Sequence, residues 1–192
     1  MHAQVVLFDG FDPLDAIGPY ETLAAGGISA ELVTAEGPRE VPAGLTLLTL
    51  KATAKLDPNA DIIVVPGAAS FDESEMFGLF SAAAPTIAPV LKDSNAIIAT
   101  VCGGSLLLAV AGLIKGRNAT TNHLGLQALE SMGVNAIRAR IVDDGDLVTA
   151  AGISSGVDLG IYLVEREIGA QKALEVETLF AHERRGTAWR AA

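Results

Sequence analysis

The chain has a single cysteine among its 192 residues, one tryptophan, two tyrosines, and only 13 lysines and arginines against 23 aspartates and glutamates. One thiol closes no intrachain disulfide, so a disulfide-stapled scaffold is excluded. The N-terminal Met1-His2-Ala3-Gln4 lacks the basic start of a secretory leader, and a reducing, cytoplasmic setting is expected. The net charge is −10 and no Lys/Arg-rich run occurs, so the basic footprint of nucleic-acid or anionic-membrane binding is missing. The acidity is expected to serve solubility. No stretch reads as the roughly 18 consecutive apolar residues of a membrane span. The apolar run at 105–114 is broken by Gly112 and stopped by Lys115, which predicts a buried core helix.

What is abundant is apolar surface. Half of the residues are hydrophobic, which excludes a disordered chain and suits a single domain, 1–192, with a sizeable core. Strand and helix patterns alternate. Strands are expected at 3–8, 29–34, 61–65, 97–101, 119–121, 136–142 and 147–151, and helices at 14–25, 71–80, 85–93, 103–113, 124–132, 154–168 and 170–181. The Gly/Pro/Thr-rich stretch 35–60 predicts a short hairpin or a wandering connection. The strands at 3–8, 61–65 and 97–101 are continuous apolar runs, as in a parallel sheet covered on both faces. The fold class is therefore α/β, a doubly wound, mostly parallel sheet sandwiched by helices.

Against that background Cys102 stands out. It follows the β-branched run Ile97-Ile98-Ala99-Thr100-Val101 and precedes Gly103-Gly104-Ser105 and an apolar helical run. This is the pattern of a sharp strand-to-helix turn with a nucleophile at its apex. A thiol at a helix N-terminus meets backbone N–H groups and the positive end of the helix dipole, so a reactive thiolate is expected.

In open α/β sheets, sites form beyond the carboxyl ends of the strands. Neighbouring strands 3–8, 61–65 and 97–101 would bring three loops into one crevice: the loop to Asp15, the turn Pro66-Gly67-Ala68-Ala69, and Cys102. There Cys102 would attack an electrophilic carbon. Backbone N–H groups of Gly67 or Ala68, and of Gly103, would hold developing negative charge. Asp15 would orient the thiol, hold a water or pass a proton, with its pKa raised by the dry crevice. Asp15 also reads as a helix cap. His123 reads as a pocket wall or a polar helix start, and Ser154 as a crevice hydroxyl or a cap.

Two other features carry no site. Asp143, Asp144 and Asp146 lack the closing Glu of a twelve-residue calcium loop and read as a solvated turn. Gly103-Gly104 is not followed by the Lys/Ser pair of a phosphate loop. No cofactor and no metal are expected.

Several stretches occur in an order that resembles the DJ-1/PfpI superfamily across nearly the whole chain. They are Phe8-Asp9-Gly10-Phe11 with Leu14-Asp15-Ala16-Ile17-Gly18-Pro19, Val64-Val65-Pro66-Gly67, Val101-Cys102-Gly103-Gly104-Ser105, Leu113-Ile114-Lys115-Gly116-Arg117, and Ala151-Gly152-Ile153-Ser154-Ser155-Gly156. Within it, the Leu-Asp…Gly-Pro start and the Gly-Leu-Ile-Lys-Gly-Arg stretch are most similar to the isonitrile hydratase subgroup. The resemblance implies a flavodoxin-like fold, Cys102 as a nucleophile on a strained elbow, Asp15 as its partner carboxyl, a small-molecule substrate and a homodimer. It further implies hydration of isonitriles to N-substituted formamides. The alternatives are a redox or small-ligand sensor without enzymatic activity and a glyoxalase-like activity on small aldehydes. Three positions depart from the pattern: Gly103 replaces a frequent threonine, Ala68 replaces a second glycine, and Asn122 replaces a histidine, with His123 one place along. The last departure weakens any chemistry that needs a Cys–His pair.

Overall fold

The computed structural model describes residues 1–190. In chain order the elements are β1 (His2–Val6), α1 (Pro13–Ala25), β2 (Ser29–Thr34), β3 (Arg39–Pro42), β4 (Thr49–Ala52), β5 (Ala54–Lys55), β6 (Ile62–Val65), α2 (Glu73–Lys92), β7 (Ile97–Val101) and α3 (Gly104–Val110). They continue with β8 (Asn118–Ala119), a single 3-10 turn (His123–Gly125), α4 (Leu126–Ser131), β9 (Asn135–Ala136), β10 (Ile141–Asp143), β11 (Leu147–Ala150), α5 (Ser155–Glu167), α6 (Ala170–Phe180) and β12 (Trp189–Arg190).

Eight strands form the central sheet in the order β12-β10-β11-β7-β6-β1-β2-β5. Every neighbouring pair is parallel except β10 with β11. All four residues of β6, Ile62-Ile63-Val64-Val65, are buried, as the uninterrupted apolar run requires of a strand covered on both faces. Helices α1, α5 and α6 pack together as one group, and α2, α3 and α4 as another. The fold is the flavodoxin-like α/β arrangement expected.

Sheet order positions the site. From β1 the chain steps one way to β2 and the other way to β6 and then β7. The carboxyl ends of β1, β6 and β7 are therefore adjacent, at the point where the strand order reverses. A bridge between Phe11 and Ala68 ties the loop after β1 to the loop after β6. Phe11 is fully buried there, and its burial contributes about 1.5–3 kcal/mol.

Three expectations are corrected. The two helices expected at 71–80 and 85–93 are one, α2, which continues through Pro85 and Pro89. Each proline removes a backbone hydrogen bond. Burial of Phe80, Ala83, Ala84, Ile87 and Leu91 at helical spacing keeps the rod continuous. With 20 residues and an 18-residue window of mean hydropathy 1.2, α2 is also long and apolar enough, by length and composition, to cross a membrane. Finally, the single strand expected at 136–142 is divided between β9 and β10, which pair in different sheets.

Candidate active site

Cys102 follows β7 without a gap and adopts a φ of 53°, in the left-handed region that side chains rarely occupy. The surrounding hydrogen bonds over-determine this conformation. The Cys102 N–H donates to the carbonyls of Ala150 at 3.0 Å and Ala151 at 2.8 Å. Its carbonyl accepts from the Thr121 hydroxyl at 2.7 Å and the Ser105 hydroxyl at 3.4 Å. The elbow inferred from the Val-Cys-Gly-Gly pattern is present. Close approaches explain the glycine after Cys102 and the glycine that faces it across the crevice. A Cβ on Gly67 would stand 2.7 Å from the Gly103 nitrogen and 2.8 Å from Asp15 Oδ2, and a Cβ on Gly103 would stand 2.7 Å from Phe80 Cζ.

Asp15 is completely buried. The capping role belongs to Asp12, whose Oδ1 accepts from the N–H groups of Leu14 at 2.9 Å and Asp15 at 3.4 Å. One turn further in, Asp15 Oδ2 accepts from the Gly67 N–H at 2.9 Å, and Oδ1 has no hydrogen-bond partner. Burial above all, with the Asp12 charge next, holds the Asp15 carboxyl well above the usual carboxylate range, against the Gly67 and Cys102 contacts that favour the anion.

The thiol departs from expectation. Burial first, and the facing Asp15 carboxylate second, push Cys102 up to about 12, outweighing the donors on Asn122 and Gly103. The N-terminus of α3 favours a thiolate, but the cost of desolvating that thiolate is larger. Thiolate and charged carboxylate therefore do not coexist near neutrality, and the Cys102–Asp15 pair keeps a proton.

In front of the thiol lies a cavity of about 530 Å³. Its walls are mostly apolar, from Leu45, Phe71, Met76, Phe77, Leu106, Leu124 and Ile153, with Asp12, Ser70, Glu73 and Asn122 as its side-chain polar groups. Of the residues expected to line it, Ala68 and Gly103 do. Ala68 keeps a negative φ, so the loss of glycine leaves its backbone donor usable. Its N–H has no protein acceptor among the described residues, and the Gly103 N–H is directed at the Cys102 sulfur.

Gly67 is not such a donor, because its N–H is already given to Asp15. His123 is exposed and does not line the cavity. The 3-10 turn begins at His123 and throws it outward, while Asn122 before it faces in. Ser154 is exposed as well, its hydroxyl accepting from Arg140 Nη2 at 3.3 Å. Asn122, which the sequence singles out only as a departure from the resembling pattern, is a residue of the site. Its Nδ2 lies 3.6 Å from Cys102 Sγ. The signal was available, since Asn122 occupies the position where the resembling pattern has histidine.

The acidic turn is solvated only at its tip: Gly145 and Asp146 are exposed, while Asp143 is buried and Asp144 half-buried. Asp143 accepts from the Tyr162 hydroxyl at 2.6 Å, and Arg117 pairs with Asp144 and Asp146 at 2.6 Å each. Asp158, also buried, is held by Arg140 at 2.5 Å and by His182 Nε2 at 3.2 Å.

A model described as the DJ-1/PfpI family matches residues 1–166. The chain is 33% identical over 188 residues to an isonitrile hydratase of Pseudomonas putida, covering 90% of this chain and 74% of that one. It is 24% identical over 188 residues to the Parkinson disease protein 7 homolog of Danio rerio, covering 91% of this chain and 94% of that one. The crystal structure of Drosophila melanogaster DJ-1beta superposes with a TM-score of 0.82 at 18% identity, covering 95% of this chain and 98% of that one.

Proposed function

The chain belongs to the DJ-1/PfpI family, and from that premise we propose that it is an enzyme hydrating isonitriles, R–N≡C, to N-substituted formamides, with Cys102 as nucleophile and Asp15 as proton carrier. One observation carries this reading: a buried thiol lines an apolar cavity that no histidine, lysine or arginine lines among the described residues, and a carboxyl buried behind the cavity wall, that of Asp15, shares its proton. A reaction that delivers a proton to carbon as sulfur attacks needs that pair and needs no imidazole. The similarity to the Pseudomonas putida isonitrile hydratase supports the same reading.

The steps balance as follows. The pair holds one proton, carried by sulfur at rest because the thiol is pushed up to about 12; when the isonitrile binds, Sγ passes it to the Asp15 carboxylate. Asp15 gives its proton to the terminal isonitrile carbon while Sγ bonds to that carbon, leaving a neutral thioimidate and an Asp15 carboxylate. The carboxylate takes a proton from water as its oxygen adds to the carbon, and that proton passes to nitrogen. The C–S bond then breaks, the new hydroxyl proton returns to Asp15, and the formamide leaves with the pair restored. The N–H groups of Ala68 and Gly103 are suited to the charge that develops at the cavity end.

The test is incubation with an aryl isonitrile, following the formamide by absorbance. Wild type converts it, Cys102→Ala falls to the uncatalysed rate, and Asp15→Asn loses about 10²- to 10⁴-fold in kcat. Unchanged turnover in Cys102→Ala removes the mechanism. The redox-sensor alternative needs a readily ionised thiol, which burial opposes. The glyoxalase-like alternative lacks a histidine at the sulfur.

A further inference from the structure

We propose that the cavity selects isonitriles with an uncharged or cationic hydrocarbon side group and rejects those bearing a carboxylate. The inference rests on the isonitrile reading and adds the class of substrate side group.

Two features of the cavity point this way. Its volume, about 530 Å³, is far larger than an isonitrile carbon and nitrogen require, and its walls are apolar. Two of those walls are unlike core residues: Phe71 is 95% exposed and Leu124 is 83% exposed. Both line the cavity that Cys102 lines, so a hydrocarbon group held in it would cover part of them. Covering them recovers apolar area that the protein alone leaves in water.

The second feature is charge. The charged side chains lining the cavity are both carboxylates, Asp12 and Glu73, and no lysine, arginine or histidine lines it among the described residues. The N-terminus of α2 would ordinarily attract an anion. Here it is capped by Asp72, whose carboxylate accepts from the Glu75 N–H at 2.8 Å, and Glu73 and Glu75 occupy its first turn. An anionic substrate would find negative charge on two sides and no counter-ion. A cation would find partners in Asp12 and Glu73.

The experiment compares isocyanoacetate with its methyl ester, which carry the same reacting group and differ in one charge. The ester is expected to exceed the acid in kcat/KM by at least about tenfold. Glu73→Gln narrows that ratio. Glu183→Gln removes one charge from the chain away from this cavity and leaves the ratio as it is, which separates local repulsion from the general field of an acidic protein. Equal kcat/KM for acid and ester overturns the inference while leaving the hydratase reading intact.

If neither compound is converted, the cavity's preference is read from Cys102 alkylation instead, and the aryl isonitrile alone decides the hydratase reading. Iodoacetamide then outpaces iodoacetate by at least about tenfold more than it does on a free cysteine peptide, and Glu73→Gln shrinks the difference. The ratio seen on the free peptide overturns the inference.

Discussion

The side-chain nitrogen of Asn122 lies 3.6 Å from the sulfur of Cys102, while the oxygen of the same amide accepts from the Leu124 N–H at 3.1 Å. The amide is thereby turned to offer a donor to the thiol, and an amide cannot take the thiol's proton. The group beside the nucleophile is a hydrogen-bond donor at the position where the resembling pattern has a base. Replacing Asn122 with histidine is expected to quicken Cys102 alkylation at neutral pH. It should also add a step to the pH profile near the ordinary imidazole value, about 6.5. A profile identical to wild type would show that position 122 does not reach the sulfur.

Asp15→Asn should act on reactivity and stability in opposite settings. The variant removes the carboxylate that helps push the thiol up to about 12. Alkylation at pH 8 should therefore rise even as hydration falls. The stability effect follows from the raised carboxyl. A carboxyl whose folded pKa lies above its unfolded value adds stability that is fully present below the unfolded value, about 3.9, and is lost as pH rises through the folded value. Wild type should thus lose stability relative to Asp15→Asn as pH rises above about 4 and through the raised folded value. Urea midpoints across that range measure it, and parallel curves would mean Asp15 is ionised in the fold.

Gly103 and Phe80 should be energetically coupled. A Cβ at 103 meets the Phe80 ring at 2.7 Å, and Phe80 is fully buried. Introducing Gly103→Thr, the residue frequent in the resembling pattern, should cost about 1–3 kcal/mol through overpacking. Phe80→Leu in the same chain should recover part of that loss, giving a non-additive double-mutant cycle. Strict additivity in denaturant unfolding would disprove the contact.

Asp158 anchors the segment that follows α6. It is 1% exposed, accepts from Arg140 at 2.5 Å, and receives the Arg185 N–H at 3.2 Å, which ties the segment after α6 back to α5. Asp158→Ala should cost about 2–4 kcal/mol, because a cation and an amide lose their buried partner together. Chemical denaturation checks this, and a loss below about 0.5 kcal/mol would class the pair with exposed salt bridges.

The elbow at Cys102 and the alternation of strand and helix were legible in the sequence because both are local. Continuous β-branched runs mark strands covered on both faces, and a strand running into Cys-Gly-Gly and a helix leaves little room for another turn. The antiparallel hairpin of β3 and β4 lies within the stretch that turn-forming residues marked. That Asp15 would lie near Cys102 was legible once the strands at 3–8, 61–65 and 97–101 were read as neighbours in one parallel sheet. The unbroken α2 was not legible. Two prolines argue against it locally, and only burial of its Phe80–Leu91 face, a property of the packed molecule, keeps it whole.

By itself, then, the sequence determined that a thiol sits at the apex of a strand-to-helix turn in a parallel α/β sheet, since those features follow from backbone preference and apolar pattern over a few residues. The tertiary structure decided which groups surround the thiol and how readily it ionises. It turned Asn122 inward and His123 outward by anchoring Thr121 to the Cys102 carbonyl. It gave the Gly67 amide to Asp15 instead of to a substrate. It also buried Cys102 against Asp15, so that desolvation, which no local pattern encodes, outweighs the helix dipole and keeps a proton in the pair.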